Sequence, residues 1–194
     1  YAFGTPRVGD FIYQDLHGHK IIDEKDKAPI LNTSIPQQYY SFSGGFKYKG
    51  FEVNLLFQGV GKYSKTISGV GAYESEYQGV FTDLHLKAWT PERWNNGEEI
   101  TYPALSLKAS TNHQPNSFFI MDASYLRLKN AEVAYTLPLN TSKKVFAEKI
   151  RFSLSGQNLF TIDNMRSKHI DPEIANMGTF QPYRVYNIGV SLTF

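Results

Sequence analysis

Residues 186–194 read YNIGVSLTF, and this stretch decides the fold class because apolar side chains alternate in it with polar or small ones. Successive side chains of a β-strand point to opposite faces, so one face is apolar and the other carries only small or uncharged residues. A transmembrane β-strand needs about 9–11 residues and shows the same alternation. The stretch therefore predicts a membrane strand. Its aromatic end at Phe194 favours this over the alternative, a half-buried strand of a soluble β-sandwich.

The composition of the 194 residues suits a β-rich membrane protein and excludes several other classes. Aromatic residues make up 15% of the chain, which is typical of strands and of interfacial aromatic girdles. The net charge of +2 provides no basic field, so we expect no nucleic-acid partner. Cysteine is absent, which excludes disulfides, thiolate metal sites and cysteine nucleophiles. The sequence contains no run of about 20 apolar residues, so we predict no transmembrane helix.

The same alternation recurs upstream and predicts an all-β chain with an antiparallel sheet of about five strands. The predicted strands lie near residues 39–48, 51–60, 122–136, 148–159 and 183–194. Lys49 and Gly50 form the tight turn of the first hairpin. Within residues 122–136 the apolar positions change face midway, and either a bulge near Asn130 or a snorkelling Arg127 would explain the change.

The lengths of the connections predict which ends of the strands face outward. Along the chain the links run short, very long, short and long, and residues 61–120 form the longest one. Outer-membrane barrels have short periplasmic turns and longer outer loops, so this order places the C-terminus on the periplasmic side. Residues 80–89 show helical spacing and predict a short helix within the longest loop.

Several motifs, in this order along the chain, resemble the SusC/RagA family of TonB-dependent outer-membrane transporters of Bacteroidetes. The matching stretches are GF and FQG at 50–51 and 57–59, WTPE and YP at 89–92 and 102–103, SYLRLKN and AYTLP at 124–130 and 134–138, GQNLFT at 156–161, and DPE at 171–173. Each motif alone is weak, but together they cover almost the whole chain.

This resemblance implies the last five strands or so of a transmembrane β-barrel of the 22-stranded class, with long extracellular loops. In that family an N-terminal plug domain lies inside the barrel, TonB delivers energy, and a SusD-like surface lipoprotein forms a lid. The implied function is uptake of oligosaccharides or peptides across the bacterial outer membrane. The implied partners are the remainder of the same transporter, the SusD-like lipoprotein, TonB through the N-terminal part, and outer-membrane lipids. Because five strands cannot close such a barrel, we expect a fragment of a longer protein.

The resemblance also implies that residues 1–38 are an extracellular loop region with a degenerate EF-hand-like segment. An EF-hand loop carries oxygen ligands at alternating positions and a glycine at its sixth position. The side chains that map onto ligand positions are Asp15, His17, His19, Asp23 and Asp26. Two imidazoles replace oxygen ligands and Lys20 replaces the glycine, so we expect Ca²⁺ to bind weakly or not at all. Two alternatives to calcium binding stay open: the loop binds a transition metal, or it is a polar loop that hydrogen bonds hold without a metal.

No pattern of residues predicts an enzyme or a required cofactor. The sequence has neither a G-x-S-x-G elbow nor an H-E-x-x-H zinc motif. Asp171 and Glu173, on either side of Pro172, could be read as paired catalytic carboxylates. We expect them instead to form hydrogen bonds that structure the loop. Aromatic residues of the longest loop are the candidates for substrate or lid contact, because recognition concentrates on loops. These residues, which equally suit packing of the loop on itself, are Tyr73, Tyr77, Trp89 and Trp94.

The last strand has a second predicted role. In outer-membrane proteins a terminal aromatic on an alternating strand resembles the signal that the barrel-assembly machinery reads, and here this signal would consist of Val190, Leu192 and Phe194. Two other classes of function stay open. One is a soluble carbohydrate-binding β-sandwich with a calcium-loop-like segment. The other is an outer-membrane barrel enzyme, which needs a cluster of titratable residues at the barrel rim.

Overall fold

The computed structural model describes residues 1–29, 33–74, 80–174 and 178–194, and it divides into two compact units. The loop unit comprises Tyr1–Ile35, Ser64–Ala123 and Met165–Gln181. The strand unit comprises Pro36–Tyr63, Ser124–Asn164 and Pro182–Phe194. The units therefore alternate along the sequence. The N-terminal region clusters with two later segments of the loop unit. The sequence predicted a single division at residue 38 and did not predict this grouping.

Seven strands lie within the described residues. They are β1 (Gln38–Tyr48), β2 (Phe51–Gly61), β3 (Ser64–Thr66), β4 (Ile120–Asp122), β5 (Tyr125–Thr136), β6 (Lys149–Asp163) and β7 (Val185–Thr193). The strand unit contains one antiparallel sheet in the order β1-β2-β5-β6-β7. The loop unit contains the antiparallel pair β3-β4. The predicted five-stranded antiparallel sheet is thus confirmed.

A two-residue turn joins β1 to β2. Lys49 has a φ of 46° and Gly50 a φ of 89°. Positive φ at both central residues defines a type I′ turn, whose twist matches that of the flanking strands. Tyr48 pairs with Phe51 directly across this turn, which confirms the predicted hairpin and sets the register of the whole sheet.

A bulge at Lys129 explains the irregular alternation of β5. Leu56 of β2 pairs with Asn130, while the next residue of β2, Phe57, pairs with Leu128, so Lys129 is the extra residue. An extra residue in one strand lets the apolar positions on both of its sides face the same way. The bulge predicted near Asn130 is confirmed. Arg127 lies on the polar face and is 1% exposed, so the alternative that it snorkels is wrong.

A second irregularity lies in β6, within the GQNLFT motif. The register with β5 passes from Gln157 directly to Phe160, which leaves two residues of β6 between these paired positions. One of them, Asn158, has a φ of 52°, a conformation that Asn tolerates better than most residues. A Cβ on Gly156 would lie 2.4 Å from a methyl group of Leu159, so glycine provides the space in which Leu159 packs. The GQNLFT motif therefore determines the local backbone conformation and packing of β6.

One face of the five-stranded sheet is apolar on every strand, and we call it the apolar face. Its residues are Phe42, Phe46 and Tyr48 on β1; Phe51, Val53, Leu55 and Phe57 on β2; Leu126, Leu128, Ala131, Val133 and Tyr135 on β5; Ile150, Phe152, Leu154, Phe160 and Ile162 on β6; and Tyr186, Ile188, Val190 and Leu192 on β7. Most of these side chains are exposed. Exposed apolar patches beyond a few hundred Å² mark a membrane or protein interface.

Aromatic rings form two rows across the apolar face. Near the hairpin turn the row consists of Tyr48, Phe51, Tyr135 and Phe152, and the rings of Phe51 and Tyr135 lie 4.5 Å apart. Further along the strands, Phe42, Phe57 and Phe160 form the second row. Six residues separate Phe42 from Tyr48, which is about 20 Å at the rise of a strand. Such spacing is typical of the two aromatic girdles of a membrane barrel.

The connections differ in length at the two ends of the sheet. A short α-helix, α1 (Pro91–Asn95), lies in the long connection after β3, and a second, α2 (Leu139–Ser142), lies in the shorter link from β5 to β6. The helix predicted over 80–89 is only a 3₁₀ turn, Asp83–His85. Ile120–Asp122 pairs with β3, so β5 begins at Tyr125 and not at 122. In the described part of the chain, no helix is long and apolar enough to cross a membrane.

Candidate functional site

The opposite face of the five-stranded sheet, the polar face, carries a small network of charges. Lys47 Nζ lies 3.1 Å from Glu52 Oε1, and Arg151 lies 3.5 Å from the other oxygen of Glu52. Arg151 also pairs with Glu132 on β5. The two anions thus lie on the inner strands β2 and β5, with a cation on each outer side, on β1 and β6, close to the ends that the short connections join. The network is balanced in charge, as expected of a wall that faces a polar interior.

The loop unit has an aromatic core. Phe119 is fully buried, and the rings of Phe118 and Tyr73 lie 5.2 and 4.9 Å from its ring. The ring of Phe11 lies 4.9 Å from that of Phe118, which also carries the guanidinium of Arg166 at 4.2 Å. Ring pairs at these distances stabilise a core beyond the burial of their area. The tyrosines and phenylalanines of the loops thus form a packed unit.

A buried carboxylate, Glu74, organises the polar part of this core. Its side chain is 2% exposed. One oxygen accepts from the Tyr102 hydroxyl at 3.0 Å, and the other accepts from the backbone N–H of Ser106 at 2.9 Å. His113 Nε2 lies 3.2 Å from that second oxygen. A buried acceptor with three partners joins segments that are distant in sequence, so Glu74 is central to the stability of the loop unit.

Burial shifts the ionisation of the groups around Glu74. Desolvation raises the pKa of Tyr102 well above its usual range, and the negative Glu74 adds to the shift. Desolvation lowers the pKa of His85, whose ring lies 4.5 Å from that of Tyr102. Both side chains are therefore held neutral at neutral pH. Tyr102 and His85 therefore contribute to the loop unit as neutral buried groups, and their rings pack against each other.

The DPE stretch is held by a buried lysine on β3. Lys65 Nζ donates to the carbonyl oxygen of Pro172 at 3.1 Å, and Pro172 is itself fully buried. Burial lowers the pKa of Lys65, although the nearby Asp171 and Glu173 oppose the shift. The carboxylate of Asp171 accepts from the backbone N–H of Glu173 at 2.9 Å. The burial of Pro172 and its hydrogen bond from Lys65 thus anchor the DPE stretch within the loop unit.

The predicted contact aromatics differ in exposure. The ring of Tyr73 packs against Phe119 and lies 5.2 Å from the ring of His113. Trp89 is half-buried, and a Cβ on Gly9 would lie 2.4 Å from its ring. Trp94, on α1, is 67% exposed. Tyr77 lies outside the described residues. Trp94 is therefore the aromatic of this set that the structure leaves most open to a ligand.

A groove of about 560 Å³ lies elsewhere in the loop unit. Its walls include Phe3, Arg7 and the segment from Leu105 to Thr111. The guanidinium of Arg7 donates to both oxygens of Asp10, at 3.2 and 3.1 Å, and this pairing with the carboxylate holds its side chain in place. None of the predicted contact aromatics in the described part of the chain lines this groove.

The five predicted metal ligands converge in the segment from Asp15 to Asp26, which we call the Asp–His loop. Ligand atoms of Asp15, His19 and Asp26 lie within 4.8 Å of one another. His17 Nδ1 lies 3.6 Å from Asp26 Oδ1, and His19 Nε2 lies 3.5 Å from Asp23 Oδ1. The backbone N–H groups of Asp23 and Leu16 donate to Asp26 and, together with contacts from His17, lower its pKa to about 2.

Two structural residues were missed by reasoning from the sequence. Glu74 stands in a loop without periodicity, so no pattern marks it as buried. Asn158 is the residue of the β6 irregularity that adopts positive φ. The signal that could have identified it is an Asn inside an alternating strand, since Asn is depleted in strands and enriched at positive φ. Its side-chain amide donates to the carbonyl oxygen of Tyr183 at 3.0 Å.

Comparison with curated proteins gives relatives of one kind. TonB-dependent receptor P3 of Formosa agariphila is 28% identical over a 209-residue alignment that covers 98% of this chain and 20% of the relative. TonB-dependent receptor P26 of the same organism is 30% identical over 174 residues, which cover 88% of this chain and 17% of the relative. The chain thus spans about a fifth of the length of these relatives. No protein-family profile matches the chain.

Solved structures show the same likeness in fold. The structure of the RagAB peptide transporter has a TM-score of 0.68 at 23% identity, over 90% of this chain and 19% of that one. The RagAB peptide importer in its open-open state has a TM-score of 0.66 at 22% identity, over the same shares. The five-stranded sheet is therefore a segment of a large β-barrel of this fold. The resemblance that the sequence predicts is confirmed, and the chain is identified as a segment similar to SusC/RagA-type TonB-dependent transporters.

Proposed function

We propose that the chain is the C-terminal barrel portion of a TonB-dependent nutrient importer in the bacterial outer membrane. The observation that carries this proposal is the apolar face, which continues without a polar interruption across all five strands. Its exposed side chains fit the hydrocarbon of a bilayer, and the polar face, with its small polar residues and the ion pairs of Arg151 with Glu52 and Glu132, fits a barrel interior. The likeness to TonB-dependent receptors supports the transport role.

The partners of the sheet follow from its open edges. Within the described residues, β1 pairs only with β2, and β7 pairs only with β6. An unpaired strand edge cannot lie in lipid, because no water is present to satisfy its backbone groups. The remaining strands of the same transporter therefore complete the barrel. Its plug domain faces the network of Arg151, Glu52 and their neighbours, and TonB acts through that N-terminal part.

The direction of the strands follows from the connections. The hairpin turn and the link that contains α2 lie on the periplasmic side, as does the end of β7. The long connections then lie on the extracellular side, where a SusD-like lipoprotein forms the lid. We expect the barrel-assembly machinery to read Val190 and Leu192 of β7 together with Phe194, which directly follows the strand.

The imported nutrient is an oligosaccharide or a peptide, and Trp94 contacts it or the lid. Trp94 is an exposed aromatic on a short helix in the loop unit, and such residues are enriched where proteins bind ligands and partners. A soluble β-sandwich gains no support. The two-stranded sheet of the loop unit has only three residues per strand and is too small to cover a five-stranded face.

The experiment is an uptake assay in the host bacterium. Deletion of the transporter gene is expected to abolish growth on either defined peptides or defined oligosaccharides as the sole nutrient, and full-length protein restores it. In purified transporter, Trp94→Ala is expected to weaken binding of that nutrient or of the lid roughly fivefold, or about 1 kcal/mol. Leu86→Ala, which changes another exposed apolar residue of the loop unit that does not line the groove, is the control. Unchanged growth on every nutrient after deletion would contradict the function, whereas unchanged binding by Trp94→Ala contradicts only the contact.

A further inference from the structure

We propose that the Asp–His loop binds one divalent transition-metal ion of the zinc class, with Asp15, His19 and Asp26 as ligands. This site is separate from transport and does not depend on the proposed function. Its donors are one imidazole nitrogen and two carboxylate oxygens, and His17 lies beside Asp26 as a candidate fourth ligand.

The spacing of the donor atoms fits an ion better than direct pairing. His19 Nδ1 lies 3.6 Å from Asp15 Oδ1, and His17 Nδ1 lies 3.6 Å from Asp26 Oδ1. These separations are too long for strong hydrogen bonds. Two ligands that each lie about 2.1 Å from a tetrahedral zinc ion are about 3.4 Å from each other. These two donor pairs therefore lie close to the edge length of a zinc coordination tetrahedron, and the ligand atoms of Asp15, His19 and Asp26 all lie within 4.8 Å of one another.

The second nitrogen of His19 provides an independent observation. His19 Nε2 lies 3.5 Å from Asp23 Oδ1, on the side of the ring opposite to Asp15. A metal-binding histidine commonly directs its other ring nitrogen to a carboxylate, which sets the tautomer and the ring orientation. Asp23 is thus the positioning residue of the proposed site: its 3.5 Å separation from Nε2 is also long for a hydrogen bond, and we expect it to shorten when a metal at Nδ1 fixes the ring. In this arrangement only Nδ1 faces the ligand set.

The carboxylates are positioned by the backbone before any ion binds. Asp15 accepts from the backbone N–H groups of His17, Gly18 and Lys20, at 3.1, 2.6 and 2.8 Å. Asp26 accepts from Leu16 and Asp23, and its side chain is only 2% exposed. Gly18 and Lys20 have positive φ, so the chain turns sharply around the carboxylate of Asp15. Preorganised ligands lower the entropic cost of binding.

The donor set selects the class of metal. Ca²⁺ takes six to eight oxygen ligands, whereas this loop places imidazoles at two ligand positions. Imidazole suits Zn²⁺, Cu²⁺, Fe²⁺ and Ni²⁺, and carboxylates complete such sites in many proteins. We therefore expect Zn²⁺ to bind and Ca²⁺ not to compete with it.

The test is isothermal titration of the full-length protein, purified in detergent without a polyhistidine tag and stripped with a chelator, with ZnCl₂ and then with CaCl₂. We expect one zinc ion per chain, and at least tenfold weaker binding in His19→Ala. Asp23→Asn, which keeps the size of the side chain, is expected to weaken zinc binding roughly tenfold. His169→Ala, which removes an exposed imidazole outside the loop, is the control and should bind as the parent does.

Two outcomes overturn the proposal. One is zinc binding by His19→Ala that equals binding by the parent protein while circular dichroism shows both to be folded. The other is a calcium ion that binds in the stripped protein and resists displacement by zinc. Titration with Co²⁺ adds a readout of ligand type, because the visible absorption of the parent complex should change in Asp23→Asn if Asp23 orients the ligating imidazole.

Discussion

Ile188→Arg in the full-length transporter is expected to destabilise the folded barrel by about 2–4 kcal/mol and to lower its level in the outer membrane. Ile188 lies in the middle of β7, its side chain is 86% exposed on the apolar face, and it pairs with Leu154. An arginine at this position would place a charge in the hydrocarbon, where neither water nor a counter-charge solvates it. Urea unfolding in lipid vesicles measures the loss, and immunoblots of membrane fractions measure the level.

The matched control for this variant is the neighbouring residue. Asn187→Arg adds the same side chain one residue earlier, on the polar face of the same strand. Because that face lines the aqueous interior, we expect a change of only about 0.5 kcal/mol. Equal losses in the two variants would show that the two faces are not in different solvents.

Glu74→Ala is expected to destabilise the loop unit by about 3–5 kcal/mol. The substitution removes the acceptor of the Ser106 amide, leaves His113 beside an empty site, and restricts the Tyr102 hydroxyl to its second acceptor, the carbonyl oxygen of Ala72 at 2.9 Å. Buried donors that lose their acceptor bear the full cost of desolvation. The rate of limited proteolysis within the loop unit, measured on the detergent-purified transporter, reports this local opening.

An exposed glutamate of the same unit tests whether this effect comes from burial. Glu99 pairs with Lys87 at the surface, where ion pairs contribute at most about 1 kcal/mol. We expect Glu99→Ala to be cleaved nearly as slowly as the parent protein. Cleavage of Glu74→Ala at the parent's rate would mean that the buried network does not stabilise the unit.

The strands were predictable because lipid on one face and water on the other impose an alternation of apolar and polar residues with a period of two. Ile150, Phe152 and Leu154 alternate with charged and small residues, and the structure places them on the apolar face as this pattern predicts. The bulge was predictable from a change of face within β5, since a strand that keeps one solvent on each side must absorb the extra residue. Periodicity therefore carries most of the information about the five-stranded sheet.

The loop unit was not predictable in the same way. β3 and β4 have three residues each, too few to show a period, and they pair across more than fifty residues of sequence. Lys65 and Glu74 are buried charges, whereas sequence alone assigns charged residues to the surface. Long-range pairs of this kind arise from packing, and no local pattern specifies them.

The Asp–His loop was predictable in part: its candidate ligands were, but its metal was not. The family resemblance implied Asp15, His17 and His19 as ligands, and the structure places the side chains of Asp15 and His19 beside each other and that of His17 beside Asp26. The sequence left the metal open, because an EF-hand-like spacing with two imidazoles suits neither calcium nor a regular zinc motif. The separation of 3.6 Å between the donor atoms of two ligand pairs is the information that only the structure supplies.

The central claim, that one face of the five-stranded sheet contacts lipid and the other an aqueous interior, is tested most directly by spin labels on β7. The 194 residues contain no cysteine, so Ile188→Cys and Asn187→Cys each add one labelling site to this segment. Any cysteine in the rest of the full-length transporter is first replaced by serine. In lipid vesicles we predict that the label at 188 collides readily with oxygen, which dissolves in the bilayer, and that the label at 187 collides with a water-soluble nickel complex. Equal accessibility of both labels to the nickel complex would contradict the account.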